Sequence, residues 1–312
     1  MDRNDVDWRG YFSAPVTTFR RDGAVDEAAF RAVLARAVAD GVHGLLINGS
    51  TGEWPTQSEP ERRRLAQIAV AEVAGRVPVI VNVTASRPDW AGGLARHAEE
   101  AGADAVMAAP PPAVRPTFAE LRHYCEVVFA QTALPAWLYN FPQDVATGMT
   151  VRQIDELADL PTVVGIKQSI GSQREFLRTI EVVGDRLRVF GDMLSRLGLS
   201  LIRGGFGGDG HFGSGMLLGR LQPAFFEHVW KAEYDEALAI AELFERLNGG
   251  LRGDEDDYNW RYGGMQASLK AAMNLLGQPG GHPRQPKLAI EDPARLDAIR
   301  RVLTSVGLTT VA

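Results

Sequence analysis

The chain has 312 residues, of which 45% are hydrophobic, so it is long enough for one large α/β domain with a smaller addition. A net charge of −6 and an isoelectric point near 5.6 argue against nucleic acids and anionic membranes as partners. No apolar run approaches membrane-spanning length, and the first residues do not resemble a signal peptide. Cys125 is the only cysteine, which argues against disulfides and cysteine-rich metal sites, so we expect a cytoplasmic protein.

Short β-type runs alternate with longer amphipathic helical patterns from the start of the chain to about residue 232. The predicted strands span residues 12–18, 44–49, 77–83, 105–109, 136–140, 163–168, 188–191 and 208–213. The predicted helices between them include 27–39, 59–74, 90–101, 118–131 and 173–183. Helix-start signals such as Ser58-Glu59-Pro60-Glu61 support this alternation.

This succession of strands and helices predicts a (β/α)8 TIM barrel, because eight strand–helix units over about 230 residues match the usual length of that fold. A doubly wound open sheet is the alternative, but no Gly-x-Gly-x-x-Gly follows the first strand. Residues 233–312 contain only helical patterns and loops. We therefore predict a barrel domain over 1–232 and a C-terminal helical domain over 233–312, in which Asp254-Glu255-Asp256-Asp257 forms a polar loop.

Lys167 interrupts the otherwise apolar strand 163–168. Burial of an unpaired ammonium costs several kcal/mol, and it lowers the pKa until the amine becomes a nucleophile toward carbonyls. Strand alternation predicts that Val163 and Lys167 face the barrel interior, whereas Val164 and Ile166 face the helices. An isolated strand lysine more often extends its ammonium to water, so the interpretation depends on its neighbours.

Tyr139 ends the preceding predicted strand, so adjacent strands present a phenol and an amine to one cavity at the carboxyl end of the barrel. A tyrosine in that place can transfer protons during imine chemistry. Taken alone, it is equally compatible with an aromatic side chain that fills the barrel top.

The second strand ends in Gly49-Ser50-Thr51-Gly52-Glu53. Two hydroxyls and several backbone N–H groups in such a turn form an anion pocket of carboxylate size. Taken alone, the motif is more often a simple Ser/Thr turn. Together with Lys167 and Tyr139 it indicates a site for a 2-oxo acid.

Three motifs, Gly49-Ser50-Thr51-Gly52-Glu53, Tyr139-Asn140-x-Pro142 and Gly165-Ile166-Lys167, resemble in order and spacing those of the dihydrodipicolinate synthase / N-acetylneuraminate lyase family of class I aldolases. The resemblance covers nearly the whole chain, including Ser268-Leu269-Lys270-Ala271-Ala272 and Gly281-His282-Pro283-Arg284-Gln285-Pro286. It implies a (β/α)8 barrel with a C-terminal helical extension, usually assembled as a homotetramer that is a dimer of dimers.

The resemblance also implies Schiff-base chemistry on pyruvate or a pyruvate-containing sugar acid. By matching position, Lys167 would form the imine, Tyr139 would shuttle protons, and Ser50 with Thr51 would bind the carboxylate of the substrate. The pocket would be lined further by Gly191 and Phe212.

The chain departs from the family pattern in three places. Ala113 stands where the synthases have a second tyrosine, which relays protons from a neighbouring subunit. The loop 143–148 contains Asp144 but lacks the substrate-binding arginine of the synthases. His211 follows an extended glycine-rich stretch and is predicted to contact the substrate; it could titrate near neutrality as an extra acid–base group, although a structural role is more common. It has no Asp, Glu or Cys at ligand spacing, so no metal site is predicted.

The leading hypothesis is a lyase in which Lys167 forms a Schiff base with pyruvate or a 2-keto-3-deoxy sugar acid, followed by aldol chemistry or dehydration. The imine is itself an electron sink, so no metal or organic cofactor is expected. The expected partners are a small 2-oxo acid, an aldehyde and further copies of the chain. Two alternatives stay open: an authentic 4-hydroxy-tetrahydrodipicolinate synthase, and a catalytically impaired barrel that binds a 2-oxo acid, for which Ala113 is the only support.

Overall fold

Eight parallel strands form a closed barrel in the computed structural model, which describes residues 1–253 and 260–311. The strands are β1 (Gly10–Ala14), β2 (Gly44–Ile47), β3 (Val79–Asn82), β4 (Ala105–Ala108), β5 (Ala136–Asn140), β6 (Val163–Gln168), β7 (Arg188–Phe190) and β8 (Gly210–Ser214). Each strand pairs with the next, and β8 closes the barrel on β1. The predicted TIM barrel is confirmed. The acidic run predicted as a polar loop, residues 254–257, lies outside the described residues.

Helices connect the strands on the outside of the barrel and continue after it. Those of the barrel are α1 (Glu27–Ala39), α2 (Glu59–Val73), α3 (Pro88–Glu100), α4 (Phe118–Phe129), α5 (Pro142–Val145), α6 (Val151–Leu157), α7 (Gln173–Val183), α8 (Arg196–Arg203) and α9 (Leu221–Trp230). Three more follow, α10 (Tyr234–Arg252), α11 (Met265–Leu275) and α12 (Pro293–Ser305). The predicted domain boundary at 232/233 falls in the turn between α9 and α10.

The first strand differs from its prediction. The apolar run predicted a strand over 12–18, whereas β1 spans Gly10–Ala14. It ends where it does because Pro15 follows, and proline has no N–H to donate to a neighbouring strand. Its earlier start matches β8, where Gly210 lies opposite Gly10 and Ser214 opposite Ala14.

Aromatic rings fill the barrel interior below the carboxyl ends of the strands. Phe190 packs edge-on against Phe12 and Trp137, with centroid distances of 5.1 and 5.0 Å, and Trp137 packs edge-on against Phe212 at 5.4 Å. Gly165 makes room for this layer, because a Cβ atom there would lie 2.7 Å from the Trp137 ring. The layer forms a solid floor beneath the barrel mouth.

A β-bulge changes the orientation of two residues in β6. Ala136 lies opposite Val163 and Trp137 opposite Gly165, so Val164 has no opposing residue on β5. Val163 therefore packs in the layer between strands and helices, and Val164 packs inside the barrel. The alternation predicted for these two residues is wrong, because a regular period of two cannot anticipate a bulge.

A buried ion pair joins the C-terminal helices to the barrel. Lys270 of α11 and Glu53, in the turn after β2, have side chains that are 1% and 0% exposed, with Nζ and Oε1 2.5 Å apart. The same ammonium donates to the carbonyl oxygens of Thr17 and His282, each at 2.7 Å. One buried cation thus connects the turns after β1 and β2 with the tail, residues 233–312.

Arg284 completes this connection. Its backbone N–H donates to Glu53 Oε2 at 2.9 Å, and its guanidinium donates to both oxygens of Glu61 at 2.8 and 2.6 Å. The bond from Arg284 is the main reason that the pKa of Glu61 is lowered to about 2. The two tail motifs that carry the family resemblance therefore both contact Glu53.

We predict that Lys270→Met destabilises the protein by about 3–5 kcal/mol, because it leaves the Glu53 carboxylate buried without its cation. The measurement is the free energy of unfolding from urea denaturation. The double substitution Glu53→Gln with Lys270→Met should recover part of the loss, since no buried charge is then left unpaired.

Arg63→Met is the matched control, since it removes a cation from the exposed helical pair with Glu59. It should cost less than about 1 kcal/mol. Equal losses for Lys270→Met and Arg63→Met would show that the buried pair does not hold the tail on the barrel.

Candidate active site

Lys167 and Tyr139 lie side by side at the carboxyl ends of β6 and β5, where they are paired directly across the two strands. Lys167 Nζ donates to Tyr139 Oη at 3.4 Å and lies 4.5 Å from the centre of the tyrosine ring. The same ammonium is 5.5 Å from the centre of the Phe212 ring in the aromatic floor. The sequence prediction that adjacent strands present an amine and a phenol together matches this arrangement.

Burial lowers the pKa of Lys167 from 10.5 to about 8, and the nearby Asp144 carboxylate opposes the shift by raising it. The residue is 8% exposed. A substantial fraction of this amine is therefore neutral near pH 7–8, the form that attacks a carbonyl carbon.

The turn after β2 brings Ser50 and Thr51 to the same place. Two residues that flank them, Asn48 and Glu53, have φ angles of +56° and +61°, a left-handed conformation that turns the chain sharply after the strand. Within the described residues, the backbone N–H groups of Ser50 and Thr51 donate to no acceptor. The Thr51 hydroxyl donates to Ser214 Oγ at 3.2 Å. The turn thus offers two N–H groups to an anion, and the Thr51 hydroxyl can join them by turning away from Ser214.

Contacts from outside the turn hold it in place. Gln266 of α11 donates to the Ser50 carbonyl at 3.0 Å, next to the pair between Lys270 and Glu53. Sequence reasoning missed Gln266 and Ser214 as neighbours of the site, since neither belongs to a motif that predicts a contact with the turn. Only the topology brings them there.

Asp144 is the site residue whose position the sequence did not predict. It lies in α5, directly after Pro142, and its Oδ2 accepts a hydrogen bond from the Ser50 hydroxyl. Ser50 Oγ is also 3.2 Å from Tyr139 Oη. One signal was present in the sequence, since Asp144 stands where the synthases of the resembled family have their arginine, but it did not indicate a contact with Ser50.

A cavity of about 530 Å³ opens above these groups. All the residues predicted for the site line it, namely Ser50, Thr51, Tyr139, Lys167, Gly191, His211 and Phe212. Its far wall comes from the C-terminal helices through residues such as Phe244, Asn248 and Met265. The tail therefore shapes the site as well as covering the barrel.

His211 lines the cavity but does not titrate near neutrality. Burial, together with the charges of Arg252 and Lys167, lowers its pKa to about 3. The ring stacks on Tyr11 at a centroid distance of 5.8 Å, and its Nδ1 accepts from the Leu194 N–H at 3.4 Å. Of the two roles that the sequence left open for His211, this neutral imidazole fits the more common structural one and does not fit an acid–base group near pH 7.

None of the helices in residues 1–253 and 260–311 is both long and apolar enough to cross a membrane. No group of three or more histidine, cysteine, aspartate or glutamate side chains in the same residues is arranged to hold a metal ion.

The chain matches the model of the dihydrodipicolinate synthetase family over residues 7–304. It is 31% identical to the 4-hydroxy-tetrahydrodipicolinate synthase of Rhodospirillum centenum over 97% of this chain and 100% of that protein. It is 30% identical to the enzyme of the same name from Nitrobacter hamburgensis over 96% of this chain and 97% of that one. An uncharacterized DapA-like lyase of Rhizobium meliloti is 30% identical over 98% of both chains.

Solved structures share the fold over nearly the whole chain. YagE of E. coli K12, a prophage protein of the dihydrodipicolinic acid synthase family solved with pyruvate, has a TM-score of 0.86 at 24% identity and covers 97% of this chain and 100% of its own. CdNal from Clostridium difficile, solved with mannosamine, has a TM-score of 0.83 at 22% identity and covers 96% and 100%. At these identities the likeness shows the fold alone.

The family model and the curated relatives span the barrel and the C-terminal helices together. The prediction from the motifs is confirmed at the level of the family and of its reaction class. The chain belongs to the dihydrodipicolinate synthetase family, whose members are Schiff-base-forming class I lyases, and it is an enzyme of that kind.

Proposed function

We propose that this protein is a lyase in which Lys167 forms an imine with pyruvate or with a 2-keto-3-deoxy sugar acid, and in which the adjacent carbon–carbon bond is then made or cleaved. The observation that carries the proposal is the position of the Lys167 amine, in a cavity next to both a phenol and an anion-binding turn. Each of these groups matches one part of a 2-oxo acid.

The carboxylate of the substrate would bind at the turn after β2. The N–H groups of Ser50 and Thr51, which lack acceptors among the described residues, would donate to it, and the Thr51 hydroxyl would turn from Ser214 Oγ to do the same. Such backbone groups are a common binding site for anions. This places the ketone carbon toward Lys167, while Gly191, Phe212 and the neutral His211 line the remaining walls.

The neutral Lys167 amine attacks the ketone carbon, and the carbinolamine loses its hydroxyl as water to give the imine. Tyr139, within hydrogen-bonding distance of Nζ, gives and takes the protons of these steps. The protonated imine nitrogen then accepts the electron pair of the bond that breaks, so the step needs no metal or organic cofactor.

The aldehyde partner would be neutral or polyhydroxylated. With the pyruvate carboxylate held at the turn, Asp144 adds a second negative charge beside Ser50. A further carboxylate on the aldehyde would therefore be repelled, more strongly in a semi-enclosed cavity than in water. The sequence Lys167-Gln168-Ser169, together with the turn after β2, also favours the N-acetylneuraminate lyase and sugar-acid side of the family.

The second candidate is an authentic 4-hydroxy-tetrahydrodipicolinate synthase, which the names of relatives at 30–31% identity favour. Against it stand Asp144 in place of the family's arginine and Ala113 in place of its relay tyrosine. Arg115, which the sequence suggests as a source of the missing charge from the neighbouring loop, is exposed and is not among the residues that line the cavity.

We further infer that copies of the chain form the homotetramer that is usual in the family, and that the protein acts in the cytoplasm. Membership of the family supports the first inference. A single cysteine, Cys125, which is buried and free, is consistent with a reducing compartment and supports the second.

We expect borohydride added with pyruvate to trap a covalent adduct on Lys167, because this amine is desolvated and open to the cavity. The chain has only four lysines, so peptide mapping assigns the adduct without ambiguity. Trapping should accelerate as the pH rises through about 8, since only the neutral amine attacks.

Lys270 is the internal comparison, because burial also lowers its pKa to about 8 but its ammonium donates to three acceptors. It should remain unmodified. Lys167→Ala should abolish trapping and keep the fold, since Asp144 retains its hydrogen bond from Ser50. An adduct on another lysine, or none with any 2-oxo acid, contradicts the proposed mechanism.

Tyr139→Phe should lower kcat by roughly 10²–10⁴-fold, the usual contribution of a positioned acid–base group. KM for the 2-oxo acid should change little, because the carboxylate-binding groups are elsewhere. Steady-state kinetics with the best substrate provide both values. Normal turnover in this variant would show that another group shuttles the proton.

The purified protein should form the pyruvate imine but give little or no condensation with aspartate semialdehyde. The test compares that aldehyde with neutral and polyhydroxylated aldehydes and follows the consumption of pyruvate. Efficient condensation with aspartate semialdehyde by the unchanged protein would establish the second candidate instead, whereas an imine without turnover on any aldehyde would favour the impaired barrel.

A further inference from the structure

Four side chains form one continuous hydrogen-bonded series in the site. Lys167 Nζ donates to Tyr139 Oη at 3.4 Å, Tyr139 Oη lies 3.2 Å from Ser50 Oγ, and the Ser50 hydroxyl donates to Asp144 Oδ2. A carboxylate only accepts hydrogen bonds, so Ser50 must use its single proton on Asp144. Tyr139 must then donate to Ser50, and every donor in the series points toward Asp144.

The position of Asp144 is fixed by the loop that carries it. Its N–H donates to the Phe141 carbonyl at 3.0 Å. Asn140, at the end of β5, closes the loop by exchanging hydrogen bonds of 2.9 Å with both the N–H and the carbonyl of Met149. The loop therefore holds the Asp144 carboxylate close to the end of β5, the strand that carries Tyr139.

We propose that Asp144 is the terminal proton acceptor of a relay that runs from the substrate through Tyr139 and Ser50 within a single chain. This inference rests on the proposed imine chemistry and adds a residue to it. It also accounts for Ala113, because a relay that ends on Asp144 needs no tyrosine from a neighbouring subunit.

The relay acts when the imine of pyruvate becomes an enamine. The proton leaves the methyl carbon for Tyr139 Oη as the phenolic proton passes to Ser50 Oγ and the serine proton passes to Asp144. The electron pair of the C–H bond forms the new C=C bond, and the π pair of the protonated C=N bond moves to nitrogen. One proton is thus transferred from carbon to the carboxylate, and the reverse sequence returns it.

The test measures how fast the methyl protons of pyruvate exchange with deuterium in D2O, followed by NMR, alongside borohydride trapping. Asp144→Asn should slow the exchange by at least about 10²-fold, the lower end of acid–base contributions, and should keep trapping on Lys167. Formate added to Asp144→Ala should restore exchange in a concentration-dependent manner, an effect that a merely structural role would not produce.

Slower exchange in Asp144→Asn could not arise from a change in the protonation of Lys167. Asp144 raises the pKa of Lys167, so its removal lowers that pKa and leaves more of the amine neutral, which favours imine formation. Asp185→Asn is the control for the loss of a negative charge, because the Asp185 side chain is 82% exposed and lies away from the cavity. This variant should exchange the methyl protons of pyruvate at the original rate.

Ser50→Ala breaks the same series at its middle and should show the same slow exchange if Asp144→Asn fails to fold. Exchange at the original rate in folded Asp144→Asn or Ser50→Ala, with Lys167 still trapped, overturns the relay and leaves the proposed function standing. Absence of any adduct in the unchanged protein overturns both.

Discussion

The ion pair between Glu53 and Lys270 is the interaction on which the site depends. Glu53 closes the turn that presents Ser50 and Thr51, and its left-handed backbone conformation is unfavourable for a residue with a side chain. The buried ammonium and the Arg284 N–H hold its carboxylate from opposite ends. Because both partners come from the C-terminal segment, that segment determines where the N–H groups of Ser50 and Thr51 lie.

Burial has opposite consequences for the two interior lysines. It lowers the pKa of both Lys167 and Lys270 to about 8. Lys270 is surrounded by a carboxylate and two carbonyls, which accept hydrogen bonds from all three of its N–H groups. No N–H group of Lys270 is left to contact a substrate. Lys167 instead contacts a phenol and aromatic faces beside an open cavity, so the same desolvation leaves it reactive.

Sequence patterns predicted the repeated succession of strands and helices. They missed the features that depend on contacts between residues far apart in the chain. The order of the strands was enough to place Tyr139 beside Lys167, since neighbouring parallel strands end at one edge. Regular alternation failed at Val163 and Val164, where a bulge interrupts it. The neutral state of His211 depends on packing against Tyr11 and on Arg252, and the contact between Asp144 and Ser50 depends on how one loop folds. No local pattern contains that information.

The aromatic layer beneath Lys167 has a consequence for the fate of the enamine. Since rings such as Phe12, Trp137 and Phe190 fill the barrel below Lys167, solvent and the second reactant do not reach the amine through the barrel interior. An aldehyde bound in the cavity above reacts with the enamine carbon, whereas without it the relay through Tyr139 returns the proton to that carbon and pyruvate is released unchanged. Whether each pyruvate becomes product then depends on how long an aldehyde stays bound above the enamine carbon.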